Sequence, residues 1–183
     1  YDIPLDKKVF VYGGNLGKPQ GIDFMIQCLK SQENNAEVFF IIVGDGTEFS
    51  KIKSYMDKDH PQNVKLMRRL PKEDYDKMVG ACDVGMIFLD HRFTIPNFPS
   101  RILSYMQAKI PVLAVTDPNT DIGKVIVTGG FGWWCESNDL QGFCKCISCT
   151  VNEKVDGEDE FKLLKFAFLA QKSYEIIEKS SGI

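Results

Sequence analysis

The sequence predicts an α/β domain built as a doubly wound parallel sheet of about six strands with helices on both faces. Three observations carry this. Short β-branched and aromatic runs alternate with amphipathic segments along the whole chain. One run, Val38-Phe39-Phe40-Ile41-Ile42-Val43, is apolar throughout, as a strand covered on both faces must be. Most runs stop at a glycine, proline or charged turn before helical spacing begins, which is the grammar of right-handed strand–helix–strand units.

The elements follow in order. Residues 8–12, ending at Gly13-Gly14, form the first strand, and Ile22, Met25, Ile26 and Leu29 mark the stripe of a helix over 21–30. The run 38–43 ends at Gly44-Asp45-Gly46, and Phe49, Ile52 and Met56 place the second helix behind it. Residues 63–67 give a third strand; Pro71 then opens a helix with Tyr75, Met78 and Val79 on its apolar side. Residues 83–89 are the fourth strand, Pro99-Ser100 opens a helix over 101–108, and 111–115 is the fifth strand. A short helix over 122–127, a strand over 131–134 and a helix over 140–147 complete the alternation. The charged stretch 151–160 reads as a surface loop before a last helix over 161–179, which carries Leu163, Leu164, Phe166, Phe168, Leu169, Ile176 and Ile177. So much apolar surface implies that this terminal segment, 156–180, packs on a neighbour that the chain lacks.

The 183 residues suit one domain, 1–183. A net charge of −3 and a pI near 5.5 argue against a nucleic-acid surface. No apolar run approaches the ~18 residues of a membrane span, and the first residues are not a signal peptide. The missing initiator Met, with a strand beginning within the first ten residues, is expected of a piece of a longer protein. Of the six cysteines, Cys144, Cys146 and Cys149 form a C-x-C-x-x-C. Positions two apart on a helix diverge, so these read as reduced thiols of a cytoplasmic protein and no metal is expected.

In a doubly wound sheet the ligand lies beyond the carboxyl ends of the strands. The first such loop, Gly13-Gly14-Asn15-Leu16-Gly17-Lys18-Pro19-Gln20-Gly21, has the glycines that let backbone approach a phosphate, yet it matches neither a Walker loop nor G-x-G-x-x-G. A tight strand–helix turn accounts for it equally. The loop before the fourth helix puts Ser100 at the cap and Arg101 in the first turn. A cation there opposes the helix dipole, so Arg101 is either solvated or paired to a bound anion. His60 sits in a turn facing solvent, and His91 follows the fourth strand, where it touches a ligand or merely fills surface.

Taken in order, several pieces of the chain resemble the C-terminal, donor-binding domain of retaining GT-B glycosyltransferases of family 4, the branch that builds bacterial capsules and O-antigens. They are Gly14-Asn15-Leu16-Gly17 with Gly21, Val43-Gly44-Asp45-Gly46, Leu70-Pro71-Lys72-Glu73, and Ala81-Cys82-Asp83-Val84-Gly85. The last is Pro99-Ser100-Arg101-Ile102-Leu103-Ser104-Tyr105-Met106-Gln107-Ala108 running into Pro111-Val112-Leu113-Ala114. The resemblance implies a Rossmann-like half of a GT-B fold, lacking its acceptor-binding N-terminal domain and inactive alone. It implies a nucleoside-diphosphate sugar as donor, a glycan or lipid-linked acceptor held by the missing domain, and no cofactor or metal. The setting it implies is cytoplasmic, or the inner face of the membrane through the missing domain.

Carried onto this chain, the resemblance makes Lys18 and Arg101 the cations that stabilise the departing diphosphate. Gly14, Asn15, Gln20 and Gly44 border the phosphates, and Arg69 and Leu70 meet the nucleobase through backbone. Ser100, Ile102 and their neighbours hold phosphate oxygens, Ser104 lies at the ribose, and the Asn97-Phe98 backbone meets the sugar. The family's Arg and Lys in the first loop are Asn15 and Gln20 here; its two acids fall on Pro96 and Ser104, and Lys109 replaces a Gly. Those departures leave a second expectation open, a non-catalytic relative that binds nucleotide sugar or a partner subunit.

Overall fold

The computed structural model describes residues 1–92 and 99–152. The expected terminal helix, and Pro96, Asn97 and Phe98, lie outside the described residues.

The strands are β1 (Lys8–Asn15), β2 (Val38–Asp45), β3 (Val64–Met67), β4 (Val84–Phe88), β5 (Val112–Thr116) and β6 (Gly132–Glu136). Between and after them come α1 (Ile22–Ser31), α2 (Phe49–Asp59), α3 (Lys72–Val79), α4 (Arg101–Gln107), α5 (Ile122–Gly129) and α6 (Leu140–Asn152). All pairings are parallel and the order is β3-β2-β1-β4-β5-β6. The alternation read from the sequence is therefore the fold. Because β1 and β4 are neighbours while the chain runs outward on either side of them, the crevice between them is the topological switch point.

Alternate residues of each strand face opposite layers. Phe10, Tyr12, Phe40, Ile42, Met86 and Phe88 pack under α1, α2 and α6, while Val9, Val11, Ile41, Val43, Ile87 and Ala114 pack under α3, α4 and α5. The central strands are apolar on both sides for this reason.

Three details depart from the sequence reading. Gly13 and Gly14 do not end the first strand: β1 continues to Asn15, with Gly14 beside Gly44 and Asn15 beside Asp45. That approach requires glycine, since a Cβ on Gly44 would stand 1.9 Å from the Gly14 carbonyl oxygen. Second, α6 runs on to Asn152, past the expected 147. Third, β6 runs on to Glu136, past the expected 134. Lys109, where the resemblance expects a Gly, adopts a left-handed conformation (φ 59°) in the turn before β5, a backbone that a side chain with a Cβ occupies at a cost.

All six cysteines are free. Cys144 meets Gln32 and Ser31, and Cys146 faces the Trp134 carbonyl; Cys149 is exposed. The motif's three thiols point to different neighbours, and among the described residues no group of three or more metal-ligating side chains converges.

Candidate functional site

A cleft of about 610 Å³ opens at the switch point. Its walls come from the ends of β1 (Gly13, Gly14, Asn15) and β2 (Val43, Gly44, Asp45), from the loop after β3 (Arg69, Leu70), and from α3 and α4. The sequence-predicted residues Gly14, Asn15, Gly44, Arg69, Leu70, Ser100, Arg101 and Ser104 are thus brought together.

Arg101 is the centre of the site. Its guanidinium lies over the Tyr12 ring at 4.4 Å and across the backbone of Gly14. Gly14 has φ 129°, and a Cβ there would come within 3.2 Å of Nη2, so glycine both permits the turn and leaves room for the cation. Nη1 is buried and has no hydrogen-bond partner. Of the two readings open at the sequence level, the solvated arginine is excluded.

The surrounding groups do not neutralise this charge. Burial pushes the Tyr12 phenol pKa upward against the opposing pull of Arg101. Burial likewise raises Tyr75 and, most strongly, Tyr105. All three stay protonated near neutral pH and offer dipoles rather than counter-charges. Tyr105 Oη donates to main-chain carbonyls, with Met86 O at 3.0 Å, and Tyr12 Oη donates to Asn15 O at 2.7 Å. Tyr75 Oη is buried beside Tyr105 and Arg101 and makes no hydrogen bond of good geometry. No carboxylate forms an ion pair with Arg101 among the described residues. A buried cation without a counter-charge, beside a hydroxyl without a well-formed hydrogen bond, is costly on its own and favourable once an anion arrives.

Other expected contacts are placed differently. Gln20 is buried, and its Oε1 accepts the Gly17 N–H at 3.1 Å and the Asn15 amide at 3.4 Å; it braces the loop and does not line the cleft. Lys18 is exposed in a separate shallow hollow with Pro19, Asp90 and Arg92, away from Arg101. Ser100 stands at the start of α4 but makes no capping hydrogen bond. The Ile102 and Leu103 N–H groups are already donated to Pro99 and Ser100 carbonyls. His60 is exposed at the end of α2, as expected. His91 lines a second hollow with Asp23, Phe24, Ser137 and Asn138.

The sequence reading misses five participants. From sequence Tyr12 reads only as strand and Tyr75 only as core stripe, yet both wall in Arg101, and Lys72 lines the cleft with them. Asp45 and Arg68 form an ion pair at 2.6 Å at the mouth, with Arg68 stacked 3.6 Å above the Phe49 ring. The large-aromatic-over-glycine pairing of Tyr75 with Gly13 is tertiary, and no local spacing encodes it.

Residues 1–154 match the family described as Glycosyl transferases group 1. The chain belongs to this glycosyltransferase family. A curated relative, the probable glycosyltransferase WbjE of Pseudomonas aeruginosa, is 30% identical over 141 residues, covering 77% of this chain and 35% of the relative. Among solved structures, the pneumococcal O-GlcNAc transferase GtfA, determined with UDP and GlcNAc, superposes with TM-score 0.71 at 14% identity over 95% of this chain and 36% of that one. Anabaena HepE, determined with UDP-glucose, gives TM-score 0.71 at 18% identity over 97% of this chain and 50% of that one. These two likenesses establish the Rossmann-like fold shared with GT-B glycosyltransferases. The chain spans about a third of the length of the curated relatives it matches. Among the described residues of this family member, no helix is long and apolar enough to cross a membrane.

Proposed function

We propose that this chain is the donor-binding half of a retaining glycosyltransferase, holding a nucleoside-diphosphate sugar in the switch-point cleft for transfer to a polysaccharide or lipid-linked acceptor. The observation that carries the reading is Arg101: a buried guanidinium with an unpartnered Nη1 on the floor of a cleft that Arg69 and Lys72 also line. The UDP and UDP-glucose in the two structural neighbours support the ligand class.

The chemistry follows from the charge. Breaking the bond between the anomeric carbon and the diphosphate leaves an electron pair, and negative charge, on the departing oxygen. Arg101 is preorganised against that charge, buried over the Tyr12 ring with no counter-charge of its own among the described residues, and a fixed cation of this kind lowers the barrier without reorganising. Arg69 and Lys72 at the mouth draw the donor in by longer-range attraction. Lys18, assigned to the same task from sequence, contributes less from its neighbouring hollow. The cytoplasm, where nucleotide sugars and reduced thiols coexist, is the setting that fits.

A non-catalytic nucleotide-sugar binder is the second reading. It is favoured by Gln20, locked into its own loop, and by the neutral Ser104 in the cleft wall. Titration calorimetry with UDP, GDP and their sugar forms tests both. Binding to the chain with turnover by the complete protein supports the enzyme, and binding without turnover supports the second reading. No binding to any of them rejects both.

A further inference from the structure

The cleft has a direction. A nucleoside diphosphate is linear, base to ribose to phosphate, and the sheet order places β3, β2 and β1 side by side. With the base at Arg69 and Leu70 after β3, and the phosphates at Gly14 and Arg101 beyond β1, the ribose falls over the end of β2. The residue there is Asp45, paired in register with Asn15.

Asp45 is the only carboxylate among the described residues that line the cleft. Its Oδ1 is fixed, accepting from Arg68 Nη1 at 2.6 Å and from the Gly46 N–H at 3.0 Å. Arg68 is itself held face-on against Phe49 at 3.6 Å. Oδ2 carries no such bond, and the side chain is 52% exposed. One oxygen anchors the carboxylate and the other is offered to the cleft. A vicinal diol donates two hydrogen bonds, and an ionised carboxylate is its strongest side-chain acceptor. On the α4 wall, Ser104 supplies one neutral hydroxyl and cannot match it. In doubly wound dinucleotide-binding domains an acidic side chain, roughly twenty residues past the glycine turn, takes a ribose hydroxyl from a comparable place.

We propose that Asp45 reads the ribose of the bound nucleotide, its free Oδ2 accepting the 2′-hydroxyl while Arg68 positions it; this rests on the nucleoside-diphosphate reading of the cleft. The test is calorimetry of the chain with UDP and GDP against dUDP and dGDP. The wild type binds the ribonucleotide roughly tenfold or more tighter than its deoxy form, the scale of one charge-assisted hydrogen bond. Asp45→Asn lowers ribonucleotide affinity by about the same factor, leaves the deoxy form unchanged and so erases the preference. Arg68→Gln, which frees Oδ1 without removing the acceptor, narrows the preference and keeps its direction. A preference that survives Asp45→Asn, or a wild type indifferent to the 2′-hydroxyl, overturns the ribose assignment alone. Failure of both UDP and GDP to bind the wild type overturns it together with the nucleotide reading.

Discussion

Replacing Arg101 with methionine is expected to weaken nucleotide binding while leaving stability nearly unchanged. The side chain keeps most of its length and loses its charge. The guanidinium makes a cation–π contact with Tyr12 at 4.4 Å, worth about 0.5–2 kcal/mol. Against this stands the unpartnered, buried Nη1, a desolvated charged donor costing about 1–3 kcal/mol. The two nearly cancel, so Arg101→Met should leave the unfolding free energy within about 1 kcal/mol of wild type, on either side. Nucleotide binding has no such compensation. Loss of a charge-assisted bond to phosphate costs about 1.5–3 kcal/mol, a drop in affinity of roughly 10- to 150-fold. Urea unfolding of the empty chain gives the first quantity, and calorimetry with UDP and GDP the second. Lys18→Ala, a cation removed from the neighbouring hollow, is the matched control and should change affinity by less than about threefold. A large loss of stability with unchanged affinity would show that Arg101 is a structural residue and refute the reasoning.

Three further outcomes follow from the fold. Gly44→Ala places a Cβ 1.9 Å from the Gly14 carbonyl oxygen across β1–β2; with backbone rather than a flexible side chain in the way, it should cost about 3 kcal/mol or more in denaturant unfolding. Lys109→Gly relieves the left-handed conformation at φ 59° and should raise stability by up to about 1 kcal/mol, part of the relief being offset by the freer unfolded chain. Asp90, hydrogen-bonded to Arg92, has its pKa lowered to about 2. A carboxylate depressed on folding adds stability above its unfolded value, and that stability is lost as pH falls toward the folded value. Asp90→Asn should therefore flatten the acid limb of stability between about pH 4 and 2; with Arg92 76% exposed, the loss at neutral pH stays under about 1 kcal/mol.

The fold was legible because burial on both faces leaves a plain mark: Val38 to Val43 cannot alternate when helices cover both sides. Strand ends were less legible. Gly13 and Gly14 read as a stop, whereas tertiary pairing with Val43 and Gly44 carries the strand past them. In the site, the glycines and Arg101 stood out because each breaks a local preference. Gln20 and Lys18 did not sort themselves in the same way. A loop position says that a side chain is near a strand end, but not whether it turns inward to its own backbone, as Gln20 does, or toward another hollow, as Lys18 does. Asp45 was visible as a residue and not as a role, since its meaning depends on Arg68, Phe49 and the order of three strands.

The central claim is that a nucleoside diphosphate sits at the β1–β4 switch point. Amide chemical-shift mapping of the labelled chain with UDP and with GDP addresses it most directly. The account predicts saturable shifts at Gly14, Asn15, Gly44, Asp45, Arg69, Leu70 and Arg101 for at least one of the two, with Ser137 and Asn138 in the second hollow undisturbed. Shifts centred on Ser137 and Asn138, or none with either nucleotide at millimolar concentration, would contradict it.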